Sequence, residues 1–133
     1  MASKGSVTFS VAIPVYNEVE SLPELYHRIC AVMDDLGESW ELILIDDGSS
    51  DGSTEIIRSL AADDERVQPV FFARNFGHQI AITAGLDHSR GQAVVIMDAD
   101  LQDPPEVIID LVAKWREGYE VVYAVREERE GET

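Results

Sequence analysis

Short apolar runs alternate with helical patterns along the chain, and this alternation restricts the possible folds more than any other feature. Five runs are predicted as strands: Thr8–Tyr16, Trp40–Ile45, Val67–Ala73, Ala93–Met97 and Glu120–Val125. Strands that alternate with helices favour an α/β fold, with a mostly parallel sheet and helices on both faces. The nearly continuous apolar character of the runs is typical of strands covered on both faces. Pro69 cannot donate to a strand ladder and therefore predicts an edge position for the third strand.

Four helical patterns separate these strands. They cover Ser21–Leu36, Ser53–Asp64, His78–Ser89 and a last segment that ends at Gly118. The first is expected to begin with a capping box, in which Ser21 is the N-cap and Glu24 follows three residues later. The fourth is expected to begin with Asp103 as its N-cap and Pro104 in the first helical position.

Composition indicates one globular domain over residues 1–133, of which 45% are hydrophobic. No apolar run reaches the roughly 20 residues that span a bilayer, and the N-terminus has no signal core, so we expect a soluble, cytoplasmic chain. The net charge of −16 argues against nucleic acid as a partner, because phosphates would be repelled. The only cysteine, Cys30, is interpreted as a buried, inert thiol.

Polar clusters follow the predicted strands. In parallel α/β sheets, ligands bind beyond the carboxyl ends of the strands. The clusters at those ends are Pro14–Glu18, Asp46–Ser53, Arg74–His78, Asp98–Asp103 and Arg126–Arg129. We therefore expect the functional site at this edge of the sheet.

The fourth cluster contains three aspartates within six residues. Asp98 and Asp100 are two apart in an extended segment, so their side chains point the same way, and Gln102 continues the row. Hard cations bind carboxylate oxygens together with substrate phosphates, so the pattern predicts a metal ion that bridges the protein to a diphosphate. A solvated loop is the alternative, and Asp103 is interpreted as a helix cap.

The second cluster, IDDGSSDGS, has some features of a calcium loop. Such a loop needs a bidentate acid at its twelfth position, where this chain has Arg58, so we reject that interpretation. We interpret the cluster as a turn that binds a heterocycle and leads into a helix. Asp47 is the candidate acceptor for the imide N–H of uracil, and Asp46 supports the loop. A purely structural turn is the alternative.

Positive groups follow the third and fifth strands. Arg74 is a candidate partner for a diphosphate or an aspartate. His78, at a helix start, is a candidate partner for a phosphate, and an incidental histidine is the alternative. Arg126 and Arg129 form a basic pair that suits another phosphate. The alternative for this pair is a solvated tail balanced by glutamates.

These clusters resemble those of family 2 glycosyltransferases with the GT-A fold. The resemblance rests on VAIPVYNEVESLPEL, LILIDDGSSDGS, RNFGHQIAITAGLDHSRG, VVIMDADLQDPPE and VVYAVREERE, in order and spacing. It covers Val11–Arg129 and is closest to polyprenyl-phosphate hexosyltransferases, the group of dolichyl-phosphate mannose synthase and bactoprenol glucosyltransferase. It implies a Rossmann-like fold that binds a nucleotide-sugar.

The resemblance also implies roles for the residues of the donor site. It places Pro14, Tyr16 and Glu18 around the base and ribose. Asp47 falls where the family reads the base, with Asp46 beside it. UDP-sugars are favoured as donors.

The same resemblance assigns the metal and acceptor sites. Asp98 is placed against the nucleotide and the metal, while Asp100 and Gln102 are placed where Mg²⁺ or Mn²⁺ is held on the diphosphate. Arg126 and Arg129 fall where relatives bind the acceptor phosphate.

The implied reaction is metal-dependent, inverting transfer of a hexose to a polyprenyl phosphate. Relatives continue well beyond the fifth strand with interfacial and membrane helices. We therefore expect this chain to be the donor-binding part of a protein at the cytoplasmic face of a membrane, without the acceptor and membrane regions. Assembly as a homo-oligomer is left open.

Two other functions are considered. One is a noncatalytic fragment that binds a nucleotide-sugar without turnover. The other is a receiver domain of a signalling protein, in which an acid pair follows strand one, a phospho-acceptor strand three and a lysine strand five. Here the acid pairs follow strands two and four, and Arg126 replaces the lysine, which argues against a receiver.

Overall fold

A computed structural model describes residues 7–102 and 104–118, in which four strands alternate with four helices. The strands are β1 (Phe9–Val15), β2 (Trp40–Asp46), β3 (Val67–Phe71) and β4 (Ala93–Ile96). The helices are α1 (Leu22–Leu36), α2 (Ser53–Asp63), α3 (His78–His88) and α4 (Val107–Arg116). Every strand pair is parallel, which confirms the predicted α/β fold. The predicted fifth strand, Glu120–Val125, lies outside the described residues.

The strands lie side by side in the order β3-β2-β1-β4. This is the order of a Rossmann sheet, whereas a receiver sheet places β1 between β2 and β3, so the receiver interpretation is wrong. Within the described part of the chain β3 pairs only with β2, as the edge prediction from Pro69 requires. The order reverses at β1, and this reversal opens a crevice between the carboxyl ends of β1 and β4.

Alternate residues of the strands pack into two separate hydrophobic cores, one on each face of the sheet. On one face, Val11 and Leu44 pack with side chains of α1, α2 and α4. On the other face, Ala12 and Ile43 pack against Ala81 of α3. Because both faces are covered, every residue of β1 and β2 is buried, which accounts for the apolar runs in the sequence.

The capping box predicted for α1 does not form. Ser21 is the N-cap, but its hydroxyl donates to the backbone oxygen of Glu18 at 3.5 Å and to the Glu18 carboxylate at 3.3 Å. The physical reason is the backbone of Ser21, which is already helical (φ −91°, ψ −19°) instead of extended, so its side chain is not directed at the first-turn amides.

The last helix begins later than predicted. Glu106 is the N-cap of α4, and Val107 is its first residue. Pro104 precedes another proline, which disfavours a helical backbone at Pro104 and delays the helix. The intervening residues form tight turns, with the amide of Val107 bonded to the oxygen of Pro104 at 2.9 Å. Asp103 lies outside the described residues.

α1 is the longest described helix, with 15 residues. Its Cys30 is half-buried and not fully buried as predicted, because it lies at the margin of the core. Burial raises the pKa of the Cys30 thiol, which favours low reactivity. No helix within residues 7–102 and 104–118 is both long and apolar enough to cross a bilayer.

Arg66 ties the end of α1 to the loop before β3. Its guanidinium lies 4.2 Å above the ring of Trp40 and contacts Asp34 at 2.9 Å. It also makes two bonds of 2.9 Å to Asp64, which accepts a third bond from the hydroxyl of Tyr26 at 2.7 Å. The bonds from Arg66 outweigh burial and, with that of Tyr26, lower the pKa of Asp64 to about 2.

Replacement of Asp64 by asparagine tests this arrangement. Since the pKa of Asp64 is lower in the folded protein than its ordinary 3.8, its ionised form stabilises the fold above about pH 4. This stabilisation is lost as the pH falls toward 2. We expect Asp64→Asn to lower the free energy of unfolding by about 2 kcal/mol at pH 7 and by much less near pH 2. Urea titrations at both pH values measure the difference, and an equal loss at both would contradict the assignment.

Candidate functional site

A cleft of about 590 Å³ lies at the carboxyl ends of β1 and β4, where the strand order reverses. Several loops that follow different strands meet there, as expected at such a reversal. Of the candidate residues from the sequence, those that line the cleft are Pro14, Tyr16, Glu18, Asp47, His78, Asp98 and Asp100. The fold therefore brings together acids that are more than 50 positions apart in the sequence.

Asp46 lies beneath the cleft and not in its wall. Its side chain is buried, and one oxygen accepts a bond of 3.0 Å from the amide of Ser49. The other oxygen accepts from the hydroxyl of Thr54. Asp46 thus connects the β2–α2 loop to the first turn of α2.

The other predicted site residues lie at the margin of the cleft or beyond the described chain. The guanidinium of Arg74 lies 4.1 Å from the ring centre of Phe76 and does not contribute to the cleft wall. Gln102 is exposed, and its backbone amide donates to the carboxylate of Asp100 at 3.1 Å. The predicted acceptor residues, Arg126 and Arg129, lie outside the described residues.

The acids of the cleft repel one another. Burial raises the pKa of Glu18 above its ordinary value. Repulsion from Asp100, Asp51 and Asp98 raises it further, although a hydrogen bond from Ser21 opposes this. The cleft therefore concentrates negative charge that a cation would relieve.

The acid pair fits a divalent ion that arrives with a phosphate ligand. Within the described ranges, no three His, Cys, Asp or Glu side chains are grouped as a complete metal site. Asp98 and Asp100 nevertheless offer hard oxygen ligands in the cleft wall. Mg²⁺ and similar ions need only one or two carboxylates when substrate phosphates and water complete the shell.

Asp47 organises the loop between β3 and α3. Its buried carboxylate accepts hydrogen bonds from the side chain of Asn75 at 3.0 Å and from the amides of Phe76 and Gly77 at 2.7 and 3.1 Å. Asn75 and Gly77 also line the cleft. The sequence analysis missed the role of Asn75, and the only signal that could have found it is its place in the polar cluster between β3 and α3.

Asn17 joins the β1–α1 loop to the β2–α2 loop. Its backbone amide donates to the hydroxyl of Ser49 at 2.9 Å, and its side-chain oxygen accepts from the backbone amide of Ser50 at 2.8 Å. Asn17 has a φ of 54°, a backbone conformation that asparagine tolerates better than most residues. A further bond of 3.1 Å runs from the amide of Val19 to Asp51. Tyr16 and Asp47 therefore lie on loops that are joined to each other.

A histidine contacts the acidic wall. His78 is the first residue of α3, and its Nε2 lies 3.1 Å from Oδ1 of Asp98. The side chain of His78 is 53% exposed, whereas that of Asp98 is only 21% exposed. This contact is a hydrogen bond from His78 to Asp98 when Nε2 carries the ring proton, because a carboxylate oxygen accepts hydrogen bonds.

Known proteins match this sequence over nearly its whole length. The family model described as Glycosyl transferase family 2 matches residues 10–133. The uncharacterized glycosyltransferase YkcC of Bacillus subtilis (strain 168) is 54% identical over 127 residues, which are 96% of this chain and 39% of that protein. An undecaprenyl-phosphate 4-deoxy-4-formamido-L-arabinose transferase of Salmonella paratyphi A is 49% identical over 122 residues, which are 91% of this chain and 37% of that protein. The chain thus spans about two fifths of the length of these relatives.

A solved structure shows the same architecture. The mannosyltransferase PcManGT from Pyrobaculum calidifontis, in complex with GDP-Man and Mn²⁺, superposes with a TM-score of 0.66. It is 26% identical, and the match covers 86% of this chain and 34% of that chain. The fold is therefore the predicted GT-A fold. Because the family model spans nearly all of the sequence, the chain belongs to glycosyl transferase family 2.

Proposed function

We propose that this chain is the donor-binding part of a metal-dependent, inverting glycosyltransferase. The donor is a nucleotide-sugar, with a UDP-hexose favoured by the family resemblance, and the acceptor is a polyprenyl phosphate. The observation that carries the proposal is the pair of Asp98 and Asp100 in a cleft at the reversal of the strand order. Support comes from the name of the Salmonella relative, which specifies undecaprenyl phosphate, and from GDP-Man and Mn²⁺ in the mannosyltransferase structure.

In this proposal, the end of β1 binds the nucleoside. Tyr16 is 49% exposed, lines the cleft together with Pro14, and offers the flat apolar surface of its ring to a base. Glu18 faces the ribose. Asp47 is the proposed reader of the base. Because its carboxylate already accepts bonds from the β3–α3 loop, a bond to the base forms beside these bonds or in exchange for one of them.

Asp98 and Asp100 would hold the metal ion together with the donor diphosphate, and Gln102 would add a further oxygen. When bound, the ion stabilises the negative charge on the leaving diphosphate as a Lewis acid. The backbone amide of Gln102 orients the carboxylate of Asp100 through its hydrogen bond of 3.1 Å. An acceptor phosphate is already ionised at neutral pH, so it needs positioning more than a general base. Arg126 and Arg129 are proposed for that task.

A noncatalytic fragment is the second candidate function, because the chain covers only 39% and 37% of the two relatives above. It would bind the same donor through the same cleft. Turnover separates the two functions. Release of nucleotide diphosphate in the presence of a polyprenyl phosphate indicates the transferase, whereas binding without turnover indicates the fragment.

Calorimetric titration with UDP-glucose and GDP-mannose, in Mn²⁺ and in EDTA, tests the donor site. We expect binding that depends on the metal. Asp100→Asn removes one charged ligand and should weaken the metal-dependent affinity about 100-fold. Asp87→Asn, at an exposed position of α3, is the matched control and should bind as the unmodified chain does. The proposal is wrong if neither donor binds in Mn²⁺, or if Asp100→Asn binds unchanged.

A further inference from the structure

Two groups of hydrogen bonds, joined by the chain from Gly77 to His78, connect the ends of β2 and β4 across the cleft. At the end of β2, the carboxylate of Asp47 holds the amides of Phe76 and Gly77. The next residue is His78, whose ring contacts Asp98 just beyond β4. The segment fixed by Asp47 therefore directly precedes the residue that contacts the acid pair.

The packing of α3 also fixes the base of the His78 side chain. Ala81, one turn later, is fully buried against the sheet. At Gly85 a Cβ atom would lie 2.9 Å from the side chain of Ile45 and 3.0 Å from that of Ala12, so the helix lies as close to the sheet as a glycine allows. The helix cannot shift toward the sheet or turn easily, and the imidazole of His78 is presented from a rigid support.

Asp98 has a fixed backbone but a side chain that needs orientation. The residue before it, Met97, donates its amide to the oxygen of Ala12 in β1 at 3.2 Å. The terminal torsion of an aspartate is broad, so a fixed backbone alone does not set the direction of the two carboxylate oxygens. The contact of Oδ1 with Nε2 of His78 restricts that direction.

We propose that His78 is a positioning residue of the donor site: its Nε2–H holds Oδ1 of Asp98 and so orients this carboxylate toward the metal and the nucleotide. The inference rests on the proposed function of the cleft and assigns to His78 a task that differs from the phosphate contact expected from the sequence. Groups that hydrogen-bond to metal ligands commonly change metal affinity about 10- to 100-fold when they are removed.

Two substitutions of His78 separate the effect of its hydrogen bond to Asp98 from the effect of losing its side chain. His78→Ala removes the donor, and His78→Gln replaces it with an amide N–H of comparable reach. We expect His78→Ala to weaken the affinity for UDP in Mn²⁺ about tenfold and to change the affinity in EDTA much less. His78→Gln should restore most of the loss. Because the side chain of His78 is half-exposed, thermal unfolding should be nearly unchanged in both variants.

The same helix offers a matched control. His88 is the last residue of α3, and its Nδ1 lies 2.8 Å from the oxygen of Ala84, away from the cleft. His88→Ala and His88→Gln should bind UDP as the unmodified chain does. The proposal is overturned if His78→Ala binds normally, if His78→Gln is as weak as His78→Ala, or if the His88 variants lose as much.

A measurement without metal or nucleotide tests the hydrogen bond itself. The sequence has three histidines, so ¹⁵N-labelled imidazole signals can be assigned by comparison with His78→Gln. We expect Nε2 of His78 to be protonated in the metal-free protein and the signal to change in Asp98→Ala. An unprotonated Nε2 overturns the proposal. If the signal is as expected but no donor binds, the proposed function fails while the contact between His78 and Asp98 stands.

Discussion

Gly48→Ala is expected to destabilise the fold by about 4 kcal/mol, because a β-carbon at this position meets backbone atoms that cannot rotate away. The added Cβ would lie 2.4 Å from the carbonyl carbon of Arg74 and 2.5 Å from the nitrogen of Asn75. Gly48 also has a φ of 74°, which disfavours any other residue. The clash would push the β3–α3 loop away from Asp47. Urea unfolding measures the loss.

Gly37→Ala is the matched control for this prediction. Gly37 has nearly the same backbone angle, with a φ of 76°, but a Cβ there would have no atom within 4 Å. Only the cost of the left-handed backbone conformation remains, so the expected loss of folding free energy is about 1 kcal/mol. Similar losses in the two variants would show that the close approach of the loop to Gly48 is unimportant.

Glu41→Ala is expected to cost about 3 kcal/mol, because the hydroxyl of Ser10 and the backbone amide of Arg90 would lose the buried carboxylate that accepts their hydrogen bonds. The carboxylate of Glu41 is 1% exposed and accepts bonds from the hydroxyl of Ser10 at 2.6 Å and from the backbone and side chain of Arg90 at 2.8 to 3.0 Å. Burial alone would raise the pKa of Glu41, but the bonds from Ser10 and Arg90 together lower it. Its ionised form therefore stabilises the fold above its ordinary pKa of 4.5, and this stabilisation is lost as the pH falls below that value.

An exposed ion pair provides the control for Glu41. Glu38 lies 3.5 Å from Arg116, and both side chains are nearly half-exposed, so Glu38→Ala should cost less than about 1 kcal/mol. Denaturant unfolding of both variants at pH 7 and pH 4 gives the comparison. A loss of less than about 1 kcal/mol for Glu41→Ala at pH 7 would contradict a stabilising role for this buried carboxylate.

The sequence was sufficient to predict the elements whose signal is local. Residues that are buried on both faces of β1 and β2 leave nearly continuous apolar runs, and Pro69 predicted the position of β3 at the edge of the described sheet. Helix starts were harder because each depends on the backbone angles of one residue. Ser21 has a helical backbone and forms no capping box, and the second of two adjacent prolines delays α4 to Val107.

In the site, too, residues with a local sequence signal could be predicted and residues without one could not. Asp98 and Asp100 were found because they follow a buried strand, and the structure places both in the cleft. The partners of Asp47 could not be found in this way, because Phe76 is 29 positions away and offers only a backbone amide. No residue type signals such a bond. The contact between His78 and Asp98 likewise depends on how α3 lies against the sheet.

The bonds of Asn17 have a consequence for protein engineering. Asn17 of the β1–α1 loop both donates to and accepts from the β2–α2 loop, so each loop supports the other. Neither loop is therefore a good unit for transfer on its own. Transplanting the segment after β2 from a relative with another nucleobase preference would leave Asn17 facing a foreign partner. Under the proposed function, exchange of donor preference is therefore expected to succeed when the segments after β1 and β2 are transferred as a set.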